Sequence, residues 1–152
     1  MMKISTKGTY GLEAILDLAL NTFAGGHASL RDIAGRTGVS EAYMLQIFMI
    51  MKSAGIVTSV RGAKGGYMLA REASATTVGE VLRALEGPFA PVECVEKDTK
   101  KPCDRYDRCV TKKLWLGIMN ELDALTDSIT IADLMVKCVP GGNKIYAPEY
   151  YL

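Results

Sequence analysis

One segment limits what this chain can fold into more than any other: SLRDIAGRTGVSEAYMLQIFMIMKSAGIVTSVRGAKGGYMLA, residues 29–70. Ser29 precedes a short apolar-periodic stretch, with Asp32 three residues on in a capping-box-like position. Leu30, Ile33 and Ala34 give that stretch an inward face. Gly38 marks a tight turn. Ser40 then caps a second helix carrying Tyr43, Met44, Ile47, Phe48, Ile50 and Met51, and Gly55 closes it. Two short helices joined by a glycine-containing turn make a helix-turn-helix. Residues 56–61 and 67–70 follow as strand-like runs, with Gly62, Gly65 and Gly66 between them as a hairpin tip requires. A hairpin placed there is a wing. Its tip carries Arg61 and Lys64, and its glycines are expected to let the backbone approach a phosphate or groove wall. Alone, such a hairpin is a surface loop with two solvated cations. Behind a helix-turn-helix it favours DNA.

The flanks are helical. STKGTYGLEAILDLALNTF (5–23) has Leu12, Ile15, Leu16, Ala19 and Phe23 at helical spacing, a Ser5 or Thr6 cap, and a Gly25-Gly26 stop. Residues 76–86 form another helix, capped at Thr76 or Thr77 and ended by Gly87-Pro88. From Lys112 the apolar residues Trp115, Ile118, Leu122, Leu125 and Ile129 are spaced 3, 4, 3, 4. This short heptad seam reads as a helix that meets another copy of itself. Thr130 opens a short last helix, and GGNKIYAPEYYL is an irregular tail. The division is therefore 1–87, a winged helix-turn-helix domain; 88–111, a cysteine-containing loop; 112–137, a dimerisation helix and short last helix; and 138–152, a C-terminal tail. The fold class is mainly α with a small β-wing.

Three of the four cysteines, Cys94, Cys103 and Cys109, lie in CVEKDTKKPCDRYDRC, a polar stretch where core packing is a poor explanation. No apolar run approaches a membrane span and MMKISTKGTY lacks a signal-peptide core, so a cytoplasmic location is expected, where thiols stay reduced. The spacing is neither a zinc ribbon nor a thioredoxin-type pair. Thiolates in one loop suit zinc or an iron–sulfur cluster, and nearby Lys97, Lys100, Lys101, Arg105 and Arg108 would lower their pKa values. Free thiols or a stress-formed disulfide remain the alternatives. Net charge is only +1, so any basic surface must be local. The single histidine, His27, reads as a loop residue, and no catalytic constellation accompanies it.

SEAYMLQIFMIMKSAGIVTSVRGAKGGYMLA, followed by VGEVLRALEGP and the three-cysteine loop, resembles the Rrf-type winged helix-turn-helix transcription regulators over nearly the whole chain. The likeness is nearest to the branches that sense iron–sulfur clusters and that repress cysteine metabolism. It implies a homodimer on a pseudo-palindromic operator, with the Ser40 helix in the major groove and the wing in the minor groove. Ser40, Tyr43, Gln46, Arg61 and Lys64 would contact DNA. Cys94, Cys103 and Cys109 would hold an iron–sulfur cluster, expected as 2Fe-2S. Three departures matter. Lys112 stands where the cluster-sensing branch has a histidine ligand, and Thr9 where the nitric-oxide branch has an aspartate. The fourth ligand is thus unassigned among Asp104, Asp107, Glu93 and Cys138. Leu45-Gln46 replaces Glu-Gln, removing a cytosine acceptor. The alternative implied function is a cluster-free repressor of cysteine metabolism controlled by cysteine synthase, an enzyme that accepts C-terminal peptides ending in an aliphatic residue, as Leu152 is.

Overall fold

The computed structural model describes residues 4–96 and 103–137. Six helices and one hairpin follow in the order α1 (Thr6–Thr22), α2 (Leu30–Thr37), α3 (Glu41–Ser53), β1 (Val57–Val60), β2 (Gly66–Leu69), α4 (Val78–Glu86), α5 (Lys112–Asp127) and α6 (Ile131–Val136). Helix starts follow the local chemistry. The hydroxyls of Ser5, Ser29, Ser40 and Thr77 each accept a backbone N–H of the first turn. Thr77 and Glu80 form a full capping box, as do Thr130 and Asp133. Gly38, in the left-handed region at φ 73°, ends α2 and lets its N–H return to Ala34 O.

The main core joins α1, α2, α3, α4 and α6. Ile15, Leu18, Ile33, Met44, Ile47, Phe48, Met51, Val81 and Ile131 are fully buried in it. Ile131 matters most for the architecture. It lies 44 positions beyond the Gly87 boundary, yet it plugs the core of the N-terminal unit. The chain is stitched there by backbone: Val78 N donates to Ile129 O at 2.9 Å and Ile131 N to Thr76 O at 2.9 Å. The last helix therefore belongs with the winged helix-turn-helix rather than with α5.

The seam expected along α5 is divided. Ile129 lies beyond α5, whose last turn is capped by Ser128. Leu122 and Ile129 pack inward on Val78, Leu82 and Phe89, and Met119 is buried. Leu114 and Leu125, 56% and 55% exposed, face out. An apolar stripe on a 3.6-residue helix spans about 100° or more, so one edge covers the chain's own domain and the other stays open. Spacing alone could not separate the two edges. Among the described residues, no helix is long and apolar enough to cross a membrane.

Candidate nucleic-acid interface and thiol loop

The wing is a two-stranded antiparallel ribbon pairing Val57 with Leu69, Thr58 with Met68, Ser59 with Tyr67 and Val60 with Gly66. It is widened by Ala28, which exchanges both backbone hydrogen bonds with Tyr67 at 2.8 and 2.9 Å. This explains two of the glycines. A Cβ on Gly66 would lie 2.4 Å from Ala28 O, and one on Gly65 would lie 2.2 Å from Val60 O. Both glycines serve close backbone contacts inside the protein. Gly62, at φ 123°, makes the tip turn.

Helix and wing form one unit. The Phe48 ring, on the buried side of α3, meets Tyr67 of β2 at 4.9 Å between centroids, and Lys52 Nζ donates to Ser59 Oγ at 2.7 Å. Arg61 and Lys64 are exposed at the tip. His27 Nε2 contacts the Lys64 backbone carbonyl, so the ring donates and ties the α1–α2 loop to the wing. Its place in a loop was legible; its partner 37 positions away was not.

On α3, Ser40 is exposed and occupied as the cap, its hydroxyl accepting Tyr43 N at 3.3 Å. Gln46 is exposed on the outer face. Tyr43 is different. It is half-buried against the core and stacks edge-on with Tyr10 of α1 at 6.3 Å. α1 is held by α2 through a bidentate pair, Arg36 to Asp17 at 2.8 Å on each arm, and the Arg36 pKa is raised chiefly by that hydrogen bond. Glu86 Oε1 accepts from Ser5 N, Ser5 Oγ and Gly8 N at 3.2, 2.5 and 2.8 Å, fastening the start of α1 to the end of α4. These long-range links have no signal in the sequence.

The thiol loop joins α4 to α5. Cys94 is half-exposed in a short 3-10 turn, Glu93–Val95, anchored by buried Val95 and touching α5. Cys103 is exposed, and Cys109 is half-exposed just before α5. All three are free thiols. Cys109 Sγ and Thr111 Oγ1 share a 3.4 Å hydrogen bond. That bond, with the backbone amides of Thr111 and Lys112 and the Lys112 charge, holds the Cys109 thiol below its ordinary value. Lys112 Nζ sits 3.2 Å over the Tyr106 ring, so it is engaged as a cation rather than free as a ligand. The donor chemistry suits a soft metal or cluster. The described residues nevertheless do not bring three or more His, Cys, Asp or Glu groups together as a ligand set. Glu93, Asp104 and Asp107 are exposed; Cys138 and the Tyr150–Leu152 tail lie outside the described residues.

Helix-turn-helix, wing and a helix leading away from them define a winged helix-turn-helix transcription regulator. The chain belongs to the Rrf2 family, described as iron-dependent transcriptional regulators, which matches residues 4–137. It is 41% identical over 133 residues to the HTH-type transcriptional regulator CymR of Bacillus subtilis, covering 88% of this chain and 89% of that protein. It is 37% identical over 134 residues to the regulator IscR of Escherichia coli O1:K1, covering 88% and 80%. Among solved structures, CymR, the global cysteine regulator of B. subtilis, superposes with a TM-score of 0.72 at 39% identity, covering 91% of this chain and all of that one. The T. potens IscR gives 0.69 at 38%, covering 91% and 93%. The protein is a transcription regulator, not an enzyme.

Proposed function

We propose that this chain is a cytoplasmic, homodimeric regulator whose operator affinity follows the state of its three-cysteine loop. Cys94, Cys103 and Cys109 would hold an iron–sulfur cluster, expected as 2Fe-2S. When bound, such a group supplies a redox centre that responds to oxidants and nitric oxide. The observation that carries this reading is connectivity. The loop leads directly into α5, α5 packs on α4, and α4 packs on both α1 and α3. A change at the loop therefore has a continuous packed route to the helix proposed to enter the major groove. Ser40, Gln46, Arg61 and Lys64 would meet DNA directly, and Tyr43 would set the start of α3 through Tyr10. The outward edge of α5, with Leu114 and Leu125, would meet the second copy.

A second reading is favoured by the likeness to CymR: a cluster-free regulator of cysteine metabolism, controlled by cysteine synthase. The two separate in one experiment. The protein is reconstituted anaerobically with iron and sulfide, assayed for both, and its DNA binding measured before and after. The cluster reading expects stoichiometric iron and sulfide, lost in Cys94→Ala, Cys103→Ala and Cys109→Ala, and a change in DNA affinity on loading. Absence of both iron and any affinity change, with cysteine synthase binding in calorimetry that disappears on deleting Tyr150–Leu152, would establish the second reading instead.

A further inference from the structure

Helix α3 is apolar on both sides. Met44, Ile47, Phe48 and Met51 are fully buried beneath it. On its outer face Leu45 is 43% exposed and Met49 59% exposed, with exposed Ala42 on the same stripe at spacings of three and four. A helix apolar all round is ordinarily buried; here the outer side stands open. Its neighbours indicate what covers it. Gln46 lies exposed beside Leu45, Lys52 is exposed in the last turn of the same helix and reaches Ser59 of the wing, and the wing tip carries exposed Arg61 and Lys64. A protein partner needs roughly 800 Å² per side, far more than two side chains and an alanine offer, and exposed cations on the helix and on the wing joined to it suit a polyanion. The DNA major groove presents one apolar group in its base code, the C5-methyl of thymine.

We propose that Leu45 and Met49 read thymine C5-methyl groups in the operator's major groove, beside an adenine edge held by Gln46. This rests on the reading of α3 as the helix that enters the groove. It assigns to α3 a preference for thymine where its apolar stripe lies and leaves phosphate contacts to the flanking cations.

The test needs no known operator. Full-length protein selects duplexes from a randomised pool made with dTTP. The enriched pool is then resynthesised with dUTP, which pairs identically but lacks the methyl. Wild type should bind the deoxyuridine pool about fourfold more weakly for each methyl contacted. The double variant L45A/M49A, altered only at exposed positions, should keep its melting temperature and bind both pools equally. Its salt slope should match wild type, because phosphate contacts set that slope. Equal binding of both pools by wild type, with a normal salt slope, would overturn the thymine assignment while leaving DNA binding intact. Full methyl discrimination by L45A/M49A would also overturn it, placing the effect in duplex shape. A changed oligomeric state in L45A/M49A would overturn it by giving the patch to a protein contact. Failure of wild type to enrich or bind any duplex would instead remove the groove reading beneath it.

Discussion

Replacing Arg83 by alanine should loosen α5 from the DNA-binding unit without unfolding either. Arg83 on α4 donates to Asp123 at 2.9 Å and to Asp127 at 2.5 Å, one turn apart on α5. Thr77 Oγ1 also donates to Asp127, and Gly79 admits the approach, since a Cβ there would lie 2.1 Å from Asp127 Oδ1. The side chains are 31%, 33% and 44% exposed, so both pairs feel solvent. Pairs of this kind contribute about 0.2–1 kcal/mol each. Two on one guanidinium give roughly 0.5–2 kcal/mol at low salt. The apolar contacts of Leu122 and Ile129 with Val78, Leu82 and Phe89 remain in the variant. Urea unfolding should therefore show an R83A loss in that range, shrinking in 1 M salt, where the Debye length is about 3 Å. R83K, limited to one partner at a time, should fall between. Under the cluster reading, the change in DNA affinity on loading the thiol loop should also diminish. Equal stability of R83A and wild type at low salt would refute the latch. A loss undiminished in 1 M salt would move its origin to packing of the arginine stem.

Arg61→Ala/Lys64→Ala should reduce affinity for all duplexes and flatten the salt slope by about two units; an unchanged slope in a fluorescence titration would remove the wing from the interface. Gly66→Ala should lower the unfolding free energy measured in urea by about 1–3 kcal/mol, because the opposing atoms include the Ala28 backbone, and wild-type stability would contradict the close packing. Leu125→Glu should dissociate the dimer in sedimentation without lowering monomer stability; a persistent dimer would place the interface elsewhere. Glu80 supplies the pH dependence. Partial burial pushes its carboxyl up, but hydrogen bonds from Thr77 N and the Arg71 guanidinium outweigh burial and hold it below its ordinary range. A depressed folded pKa contributes stability fully above the unfolded value, about 4.3, and loses it as pH falls through the folded value. Glu80→Gln should therefore flatten the acid limb of stability against pH below about 4.5; an identical acid limb would mean the cap carries no such linkage.

The sequence made the local signals legible. Ser29, Ser40 and Gly38 fix the helix-turn-helix because caps and left-handed turns act within four residues. The wing was legible from its glycines, although the reason for two of them was not: Gly66 answers to Ala28, 38 positions earlier. The α5 stripe was legible as apolar, but not which edge faces home, because Leu122 and Leu125 look alike to any periodicity. The partners of Arg83, Glu86 and His27 are 37 to 81 positions away, and such pairings leave no periodic trace. The cysteine loop was legible as chemistry only. Whether its thiols converge depends on how the chain from Cys94 to Cys109 is led, and that is not written in their spacing.

Ile131 also sets the order of events during synthesis. A ribosome delivers α1 to α4 first, and with them nearly every buried side chain of the DNA-binding core. The site filled by Ile131 stays vacant until the thiol loop and α5 have also emerged. Over that interval the nascent helix-turn-helix holds an uncovered apolar socket, the state in which growing chains recruit chaperones. A gene fragment ending after α4 would stay permanently in that state. The segment that carries the thiols must therefore be made and passed over before the DNA-binding unit can close.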